Sequence, residues 1–257
     1  MFERSVMKSR TGGISHLLLD FRWSLEEYLY MNTDLSPKLD TFFEKAKLQY
    51  YKKKSLILHP NDTPSSVFYI KKGYVRVYRI SEEGEELTLT ILKPKDFFPL
   101  TYGINNVKNP YYLEAITPLE LWRSPQEEFL NFVKSNADVL YDLTTRILVR
   151  FDGVLSRMGY LVFSNAYVKV ATTLLICAKR FGEQVGEDIV VKVPLTHRDI
   201  ATIVGITRET TSLEMKKLEK QGFLGRQGRL YTVKNIKRFE EELLLASQED
   251  AVLSHSL

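Results

Sequence analysis

The 257 residues are 44% hydrophobic, 26% charged and 12% aromatic, which are globular proportions and exclude a disordered or fibrous chain. With no run of 18 apolar residues and no N-terminal signal core, we expect a cytoplasmic protein without a membrane partner. The net charge of +4 is uneven: residues 192–240 hold eleven Lys or Arg and five Asp or Glu, which suits a phosphate backbone but also a solvated basic face.

The first two thirds of the chain begin with helical spacing and then change to strand patterns. Residues 1–36 are predicted to form an N-terminal helical extension. Residues 74–80 alternate as a half-buried strand does, residues 87–92 form the returning strand, and residues 113–121 add another. Many short strands at regular spacing predict an antiparallel β-roll or barrel over residues 37–134.

A long helix is predicted next, over residues 135–163. Side chains spaced four and three residues apart extend along it for three heptads. We call them the dimer seam: Leu140, Thr144, Ile147, Phe151, Val154, Met158 and Leu161. The spacing fits a parallel dimerisation helix and also fits a helix packed on its own domain, and the seam Thr144 and the inserted Gly153 weaken the pattern.

Residues 164–257 are predicted to form a DNA-binding domain, with its motif at about 196–218. Thr196, followed three residues later by Asp199, predicts a helix N-cap in a variant of the capping box. Gly205 suits a tight turn, and Thr207 caps a second helix. The inward positions of this second helix are Thr211, Met215 and Leu218. Its outward face is polar, so the segment is predicted to be a helix-turn-helix.

A wing is predicted to follow at about 223–233, as two short strands around a Gly-containing turn. Arg226 and Arg229 would reach backbone phosphates. His197 either touches phosphate or is solvated, and residues 235–248 add a C-terminal helix. Caps, turn glycine and basic wing in this order predict DNA binding through these residues: Thr196, Thr207, Arg208, Glu209, Thr210, Ser212, Leu213, Lys216, Arg226 and Arg229.

Two motifs give the sequence a family resemblance. Residues 68–73 (FYIKKG) with Gly84 downstream, and residues 204–210 (VGITRET), are similar to the Crp/Fnr family over about residues 40–235. The resemblance implies an α+β protein in which a cyclic-nucleotide-binding-type sensor β-roll is joined by a dimerisation helix to a winged helix-turn-helix. It implies a homodimeric transcriptional regulator on near-palindromic double-stranded DNA, with RNA polymerase as a partner and an effector in the roll.

The resemblance also assigns roles within the second helix. Arg208 and Glu209 match base-reading positions, where Arg bonds guanine O6/N7 and Glu accepts from cytosine N4. The alternatives are a phosphate contact for Arg208 and helix-dipole stabilisation for Glu209. Leu213 stands where a second base-reading Arg is found, which favours contact with a thymine methyl. Ser212 would bond a base edge or a phosphate.

The sensor departs from the cyclic-AMP-binding pattern. Pro99-Leu100 stands where Gly-Glu is expected, and Asn109-Pro110 stands where Arg-Ser is expected. A cyclic phosphate would lose its bidentate Arg partner, so we expect an unidentified small effector other than cyclic AMP, or a constitutively active dimer. Five aromatic residues either line a pocket for such an effector or fill the core: Phe97, Phe98, Tyr102, Tyr111 and Tyr112.

Other chemistries are not supported by the sequence. One cysteine, Cys177, excludes a four-thiolate zinc site and a cysteine-ligated iron–sulfur cluster, and it is expected to be a buried thiol. His16 and His59 are the only haem-ligand candidates in the first half, without a supporting motif, so no cofactor and no metal are expected. No catalytic motif predicts an enzyme. The alternative function is a small-molecule-binding regulatory module without a DNA role.

Overall fold

The computed structural model of the chain describes residues 36–99 and 108–254. The predicted N-terminal extension therefore lies outside the described residues, except for Ser36, and so does Tyr102 of the predicted aromatic pocket. None of the described helices combines the length and the apolar character needed to cross a membrane.

In the described part of the N-terminal domain, residues 36–99 and 108–135, eight strands form a roll with a helix at each end. Its elements are α1 (Ser36–Glu44), β1 (Lys47–Tyr51), β2 (Leu56–Leu58), β3 (Ser66–Lys72), β4 (Val75–Ile80), β5 (Glu86–Leu92), β6 (Phe97–Phe98), β7 (Tyr112–Ala115), β8 (Leu119–Pro125) and α2 (Gln126–Ser135). The strands form two antiparallel sheets, in the orders β1-β8-β3-β6 and β2-β7-β4-β5. The strand predicted at 113–121 is two strands, because the chain turns at Pro118 between β7 and β8.

The side chains of β3 explain its unbroken apolar run. Phe68 and Ile70 point between the two sheets, into a core shared with Val75, Leu113 and other residues. Val67 and Tyr69 point to the other side, where α1 and α2 cover the sheet. Because both faces of β3 are buried over residues 67–70, this part of the strand needs apolar side chains at consecutive positions rather than at alternate ones.

Gly73 closes the turn from β3 to β4 where no side chain would fit. Its φ is +95°, and a Cβ there would lie 2.5 Å from the carbonyl oxygen of Pro118. The glycine that ends the FYIKKG motif is thus required both by its positive φ and by the close approach of the β7–β8 turn.

The C-terminal half begins with two long helices. Its elements are α3 (Ala137–Phe163), α4 (Ala166–Phe181), β9 (Gly182–Val185), β10 (Asp188–Val191), α5 (His197–Val204), α6 (Arg208–Lys220), β11 (Leu224–Gln227), β12 (Leu230–Val233) and α7 (Ile236–Ser254). The third sheet has the order β11-β12-β10-β9 and packs with α4 to α7 around one large core. The predicted α+β class, a β-roll followed by a long helix and a winged helix-turn-helix, is confirmed.

One arginine of α3 joins the two halves of the molecule. Arg157 donates hydrogen bonds to the carbonyl oxygens of Thr88 (2.8 Å) and Leu89 in β5, and to that of Ile203 in α5 (2.6 Å). Beside it, the hydroxyls of Thr88 and Thr202 lie 2.9 Å apart. The first helix of the helix-turn-helix is therefore held directly against a strand of the roll.

We expect Arg157→Met to lower the free energy of unfolding by about 1.5–3 kcal/mol, since three carbonyl groups lose a charged donor. The matched control is Arg198→Met, whose side chain is 74% exposed and 3.9 Å from Glu86; we expect a change of under about 0.5 kcal/mol. Urea unfolding of both variants measures this. Equal stabilities for the two variants would contradict the structural role given to Arg157.

Candidate nucleic-acid interface

The first helix of the motif, α5, is capped as its sequence predicts. The Thr196 hydroxyl accepts from the backbone N–H of Asp199 at 3.2 Å, and the Asp199 carboxylate accepts from the backbone N–H of Thr196 at 2.7 Å. The helix ends at Gly205, which has a φ of +74°. These local bonds fix where α5 starts and stops, and they set the turn that leads to α6.

The second helix, α6, presents a polar face outward. Thr207 caps it by accepting from the N–H of Thr210 at 3.1 Å. Thr211, Met215 and Leu218 are fully buried against the domain core, on the inward positions expected for them. Six predicted DNA-binding residues lie on the remaining surface: Arg208, Glu209, Leu213 and Lys216 are exposed, and Thr210 and Ser212 are half-buried. The outward face therefore offers both cations and a carboxylate to a ligand.

The wing places its two arginines differently. Arg229 is exposed beside Gly228, at the turn between β11 and β12. The Arg226 guanidinium folds back and donates to Nε2 of His197 and to the hydroxyl of Tyr231, both at 2.9 Å. Of the two arginines predicted to reach phosphate, only Arg229 projects from the domain without such contacts in this structure.

The sequence leaves His197 undecided between phosphate contact and solvation, and the structure gives it two side-chain partners. Its Nδ1 lies 2.7 Å from the hydroxyl of Ser212, and its Nε2 accepts from Arg226. Burial, and then the nearby Arg226 charge, lower the pKa of His197 below its ordinary value. The sequence carries no signal for this contact, because the three residues come from three different elements.

Family models match both halves of the chain. A cyclic nucleotide-binding domain matches residues 48–136, and a Crp-like helix-turn-helix domain matches residues 168–242. The two matches follow each other in the order of the β-roll and the winged helix. The chain belongs to the Crp/Fnr family. It is a DNA-binding transcriptional regulator of that type, and α5 and α6 are its helix-turn-helix.

Individual relatives agree with this assignment. The chain is 28% identical over 198 residues to the "cAMP-activated global transcriptional regulator CRP" of Salmonella typhimurium, covering 77% of this chain and 94% of the relative. A CooA mutant structure from Carboxydothermus hydrogenoformans superposes with a TM-score of 0.68 at 25% identity, covering 82% and 96% of the two chains. A CRP/FNR-family regulator from Thermus thermophilus has the same fold, with a TM-score of 0.63 at 22% identity, covering 78% and 100%.

The aromatic residues assigned to an effector pocket do not all meet in this Crp/Fnr roll. Phe98 stacks on Phe68 between the sheets, with ring centroids 5.4 Å apart. Phe97 points to the opposite side of its sheet and packs on Phe129 of α2. Tyr112 stacks on Tyr78, with ring centroids 5.1 Å apart, and Tyr111 packs against the core between the sheets that contains Phe98. Of the four described residues, only Phe98 and Tyr111 thus belong to the core between the two sheets.

Asn109, which stands where the Crp/Fnr phosphate-binding Arg is expected, is fully buried. Its amide nitrogen donates to the carbonyl oxygens of His59 (2.8 Å) and Tyr111 (2.6 Å), and its amide oxygen accepts from the Tyr111 N–H (3.2 Å). Both amide hydrogens are therefore used inside the protein. The side chain ties two loops together.

The dimer seam lies on an exposed apolar stripe of α3. Leu140, Ile147, Phe151, Val154 and Met158 are at least 50% exposed, and Thr144 is exposed. Leu161 is half-buried because it packs against the core of its own C-terminal domain. The stripe is also wider than the spacing indicated, since four further apolar residues beside the seam are exposed: Tyr141, Leu148, Leu155 and Val162.

Cys177 is a buried thiol, as expected, and burial raises its pKa to about 12. A thiol with this pKa is protonated at neutral pH and is a poor nucleophile. Within residues 36–99 and 108–254, no group of three or more His, Cys, Asp or Glu side chains could hold a metal ion.

Proposed function

We propose that this regulator acts in the cytoplasm as a homodimer on near-palindromic double-stranded DNA, and that it responds to a small effector other than cyclic AMP or is constitutively active. The proposal divides the chain into an extension (1–36), a sensor roll (37–134), a dimerisation helix (135–163) and a DNA-binding domain (164–257). The observation that carries it is the exposed polar face of α6 beside the exposed wing residue Arg229. RNA polymerase is a further proposed partner, from the family alone.

Sequence reading is assigned to the first turn of α6. Arg208 is exposed there, and a guanidinium can donate two hydrogen bonds to guanine O6 and N7. Glu209 beside it can accept from cytosine N4. Leu213 is 60% exposed one turn later and offers an apolar contact to a thymine methyl. Thr196, Thr207 and Thr210 sit at the helix N-termini, where backbone N–H groups favour phosphate, and Lys216 adds charge.

The homodimer proposal is supported by the apolar stripe on α3. Its exposed residues include a complete three–four–three spacing, Leu148, Phe151, Leu155 and Met158, flanked by further residues of the dimer seam. Exposed apolar stripes of this length are rare on isolated domains and are typical of helices that pair. A second copy of α3 offers a matching surface.

The effector proposal rests on what stands at the phosphate-binding positions. The Asn109 amide is uncharged and cannot supply the charge-assisted bonds of an Arg, and its two amide hydrogens are already donated to the carbonyl oxygens of His59 and Tyr111. A buried cyclic phosphate without its cation would lose roughly 2–5 kcal/mol of binding free energy. The Salmonella relative carries cAMP activation in its name, and we propose that this chain differs from it there.

We expect Arg208→Ala to lose affinity and base discrimination together, by about 1–3 kcal/mol at one base pair, because it removes a base contact. Arg229→Ala, the matched control on the wing, should weaken all sequences about equally and reduce the salt dependence of binding, because it removes a phosphate contact. Fluorescence anisotropy with a selected duplex and its single-base variants measures both. Equal losses of discrimination in the two variants would overturn this division of roles.

We expect Phe151→Glu to convert the dimer to monomer, since a carboxylate would be buried in the centre of the α3 stripe. Asp152→Lys is the control, because it changes a neighbouring exposed residue one position off the stripe. Light scattering after gel filtration gives the mass of each variant. A wild-type protein that runs as a monomer, or a Phe151→Glu variant that stays dimeric, would contradict the assignment of the stripe.

A further inference from the structure

Four polar side chains form one connected cluster beside the recognition face. They come from four elements, α5, α6, β11 and β12, and we call them the His197 cluster: His197, Ser212, Arg226 and Tyr231. His197 stands at its centre, between the recognition helix and the wing. The Arg226 guanidinium lies over the Tyr231 ring at 4.6 Å, and the rings of His197 and Tyr231 are roughly parallel, 6.4 Å apart.

The hydrogen-bond chemistry of the cluster has one solution. A guanidinium can only donate, so Nε2 of His197, 2.9 Å from Nη2 of Arg226, must accept and carries no proton. The proton of the neutral ring is then on Nδ1, which donates to the Ser212 hydroxyl oxygen at 2.7 Å. The hydroxyl hydrogen of Ser212 is left to donate elsewhere. Nη2 of Arg226 has two hydrogens, and the bonds to His197 and Tyr231 use both.

We propose that His197 is a positioning residue for DNA recognition. It orients Ser212 as a hydrogen-bond donor toward the bases, and it holds the Arg226 guanidinium in the free protein until a backbone phosphate binds that guanidinium. The proposal rests on the proposed use of the α6 face for sequence reading. Ser212 lies on α6 one turn after Arg208, so its free hydrogen can be offered to acceptors such as guanine N7 or thymine O4. Arg226 on β11 can reach outward once it leaves His197, Tyr231 and Glu219, whose carboxylate lies 3.9 Å from the Arg226 Nε.

The charges around His197 determine how its protonation changes on binding. Arg208, Lys216 and Arg226 disfavour the imidazolium, and Glu219 favours it. Tyr231 is also in the cluster, and burial raises its pKa, so it stays a neutral phenol; Asp199 lies near it. In the free protein, desolvation and the cations keep His197 neutral near pH 7.

When a backbone phosphate binds the Arg226 guanidinium, Nε2 of His197 loses both its hydrogen-bond donor and a neighbouring cation. The phosphates then favour the imidazolium, so the pKa of His197 is higher in the complex than in the free protein. Binding therefore takes up a proton at Nε2, and affinity rises as the pH falls through the interval between the two pKa values. The Nδ1–H bond to Ser212 exists in both protonation states, so the role of Ser212 is unchanged.

The first arm of the test is the pH dependence of binding to a mixed-sequence duplex between pH 5.5 and 8 at constant ionic strength. Wild type should bind more tightly as the pH falls, by up to about tenfold per pH unit for one proton. His197→Gln can still donate and accept but does not titrate, so its slope should be lost. His59→Gln, in the roll, is the control and should keep the wild-type slope. A His197→Gln profile identical to wild type overturns the proposal.

The second arm is base preference, measured by selection from a randomised DNA pool. Ser212→Ala should lose its preference at one position of the half-site. His197→Phe, which keeps a ring near Tyr231 but removes the donor to Ser212, should lose the same preference, and the double variant should lose no more. Wild-type preference in His197→Phe overturns the proposal. Failure of wild type to bind any duplex would instead overturn the proposed function, so the two failures are distinguishable.

Discussion

The hydrogen bonds of Arg157 are the constraint on which the arrangement of this protein depends. A single guanidinium on α3 is shared by two carbonyl groups of β5 and the last turn of α5, so the long helix, the roll and the helix-turn-helix meet at one point. A charged donor in a partly buried position is held strongly only while all its acceptors stay in place. The direction of α5, and with it α6, is thereby tied to α3.

A second ion pair ties α3 to the roll at a different level. Asp96, which precedes β6, is buried and pairs with Arg150 of α3, and it also accepts from the backbone N–H of Lys93 at 2.9 Å. A buried carboxylate is costly unless such partners are present, so this pairing resists small displacements. In the proposed function, an effector in the roll would act on DNA binding by favouring one of two arrangements of these contacts, which is a population shift.

Local chemistry made the DNA-binding motif predictable. The capping residues Thr196, Asp199 and Thr207 and the turn residue Gly205 act within four residues of themselves, so their sequence spacing predicts the geometry that the structure has. The strand alternation of β4 is predictable from the sequence in the same way. The residues that bind DNA are inferred from exposure on α6, and that assignment stays a prediction.

Contacts between distant elements could not be predicted. Neighbouring aromatic residues, Phe97 and Phe98, point to opposite faces of a sheet and therefore enter different cores. Leu161 fits the heptad spacing of the dimer seam, but it packs against the core of the C-terminal domain. Arg226 has the sequence position of a phosphate ligand, yet it folds back on His197, which lies 29 positions earlier in the chain. Each outcome depends on tertiary packing rather than on spacing.

The central claim is that this chain reads DNA without using cyclic AMP. The most direct measurement is selection by the purified wild-type protein from a randomised duplex pool at moderate salt, without ligand and with cyclic AMP. We predict a near-palindromic site with the same enrichment in both conditions, since Asn109 cannot replace the phosphate-binding cation. A site that is enriched only when cyclic AMP is present would contradict the account.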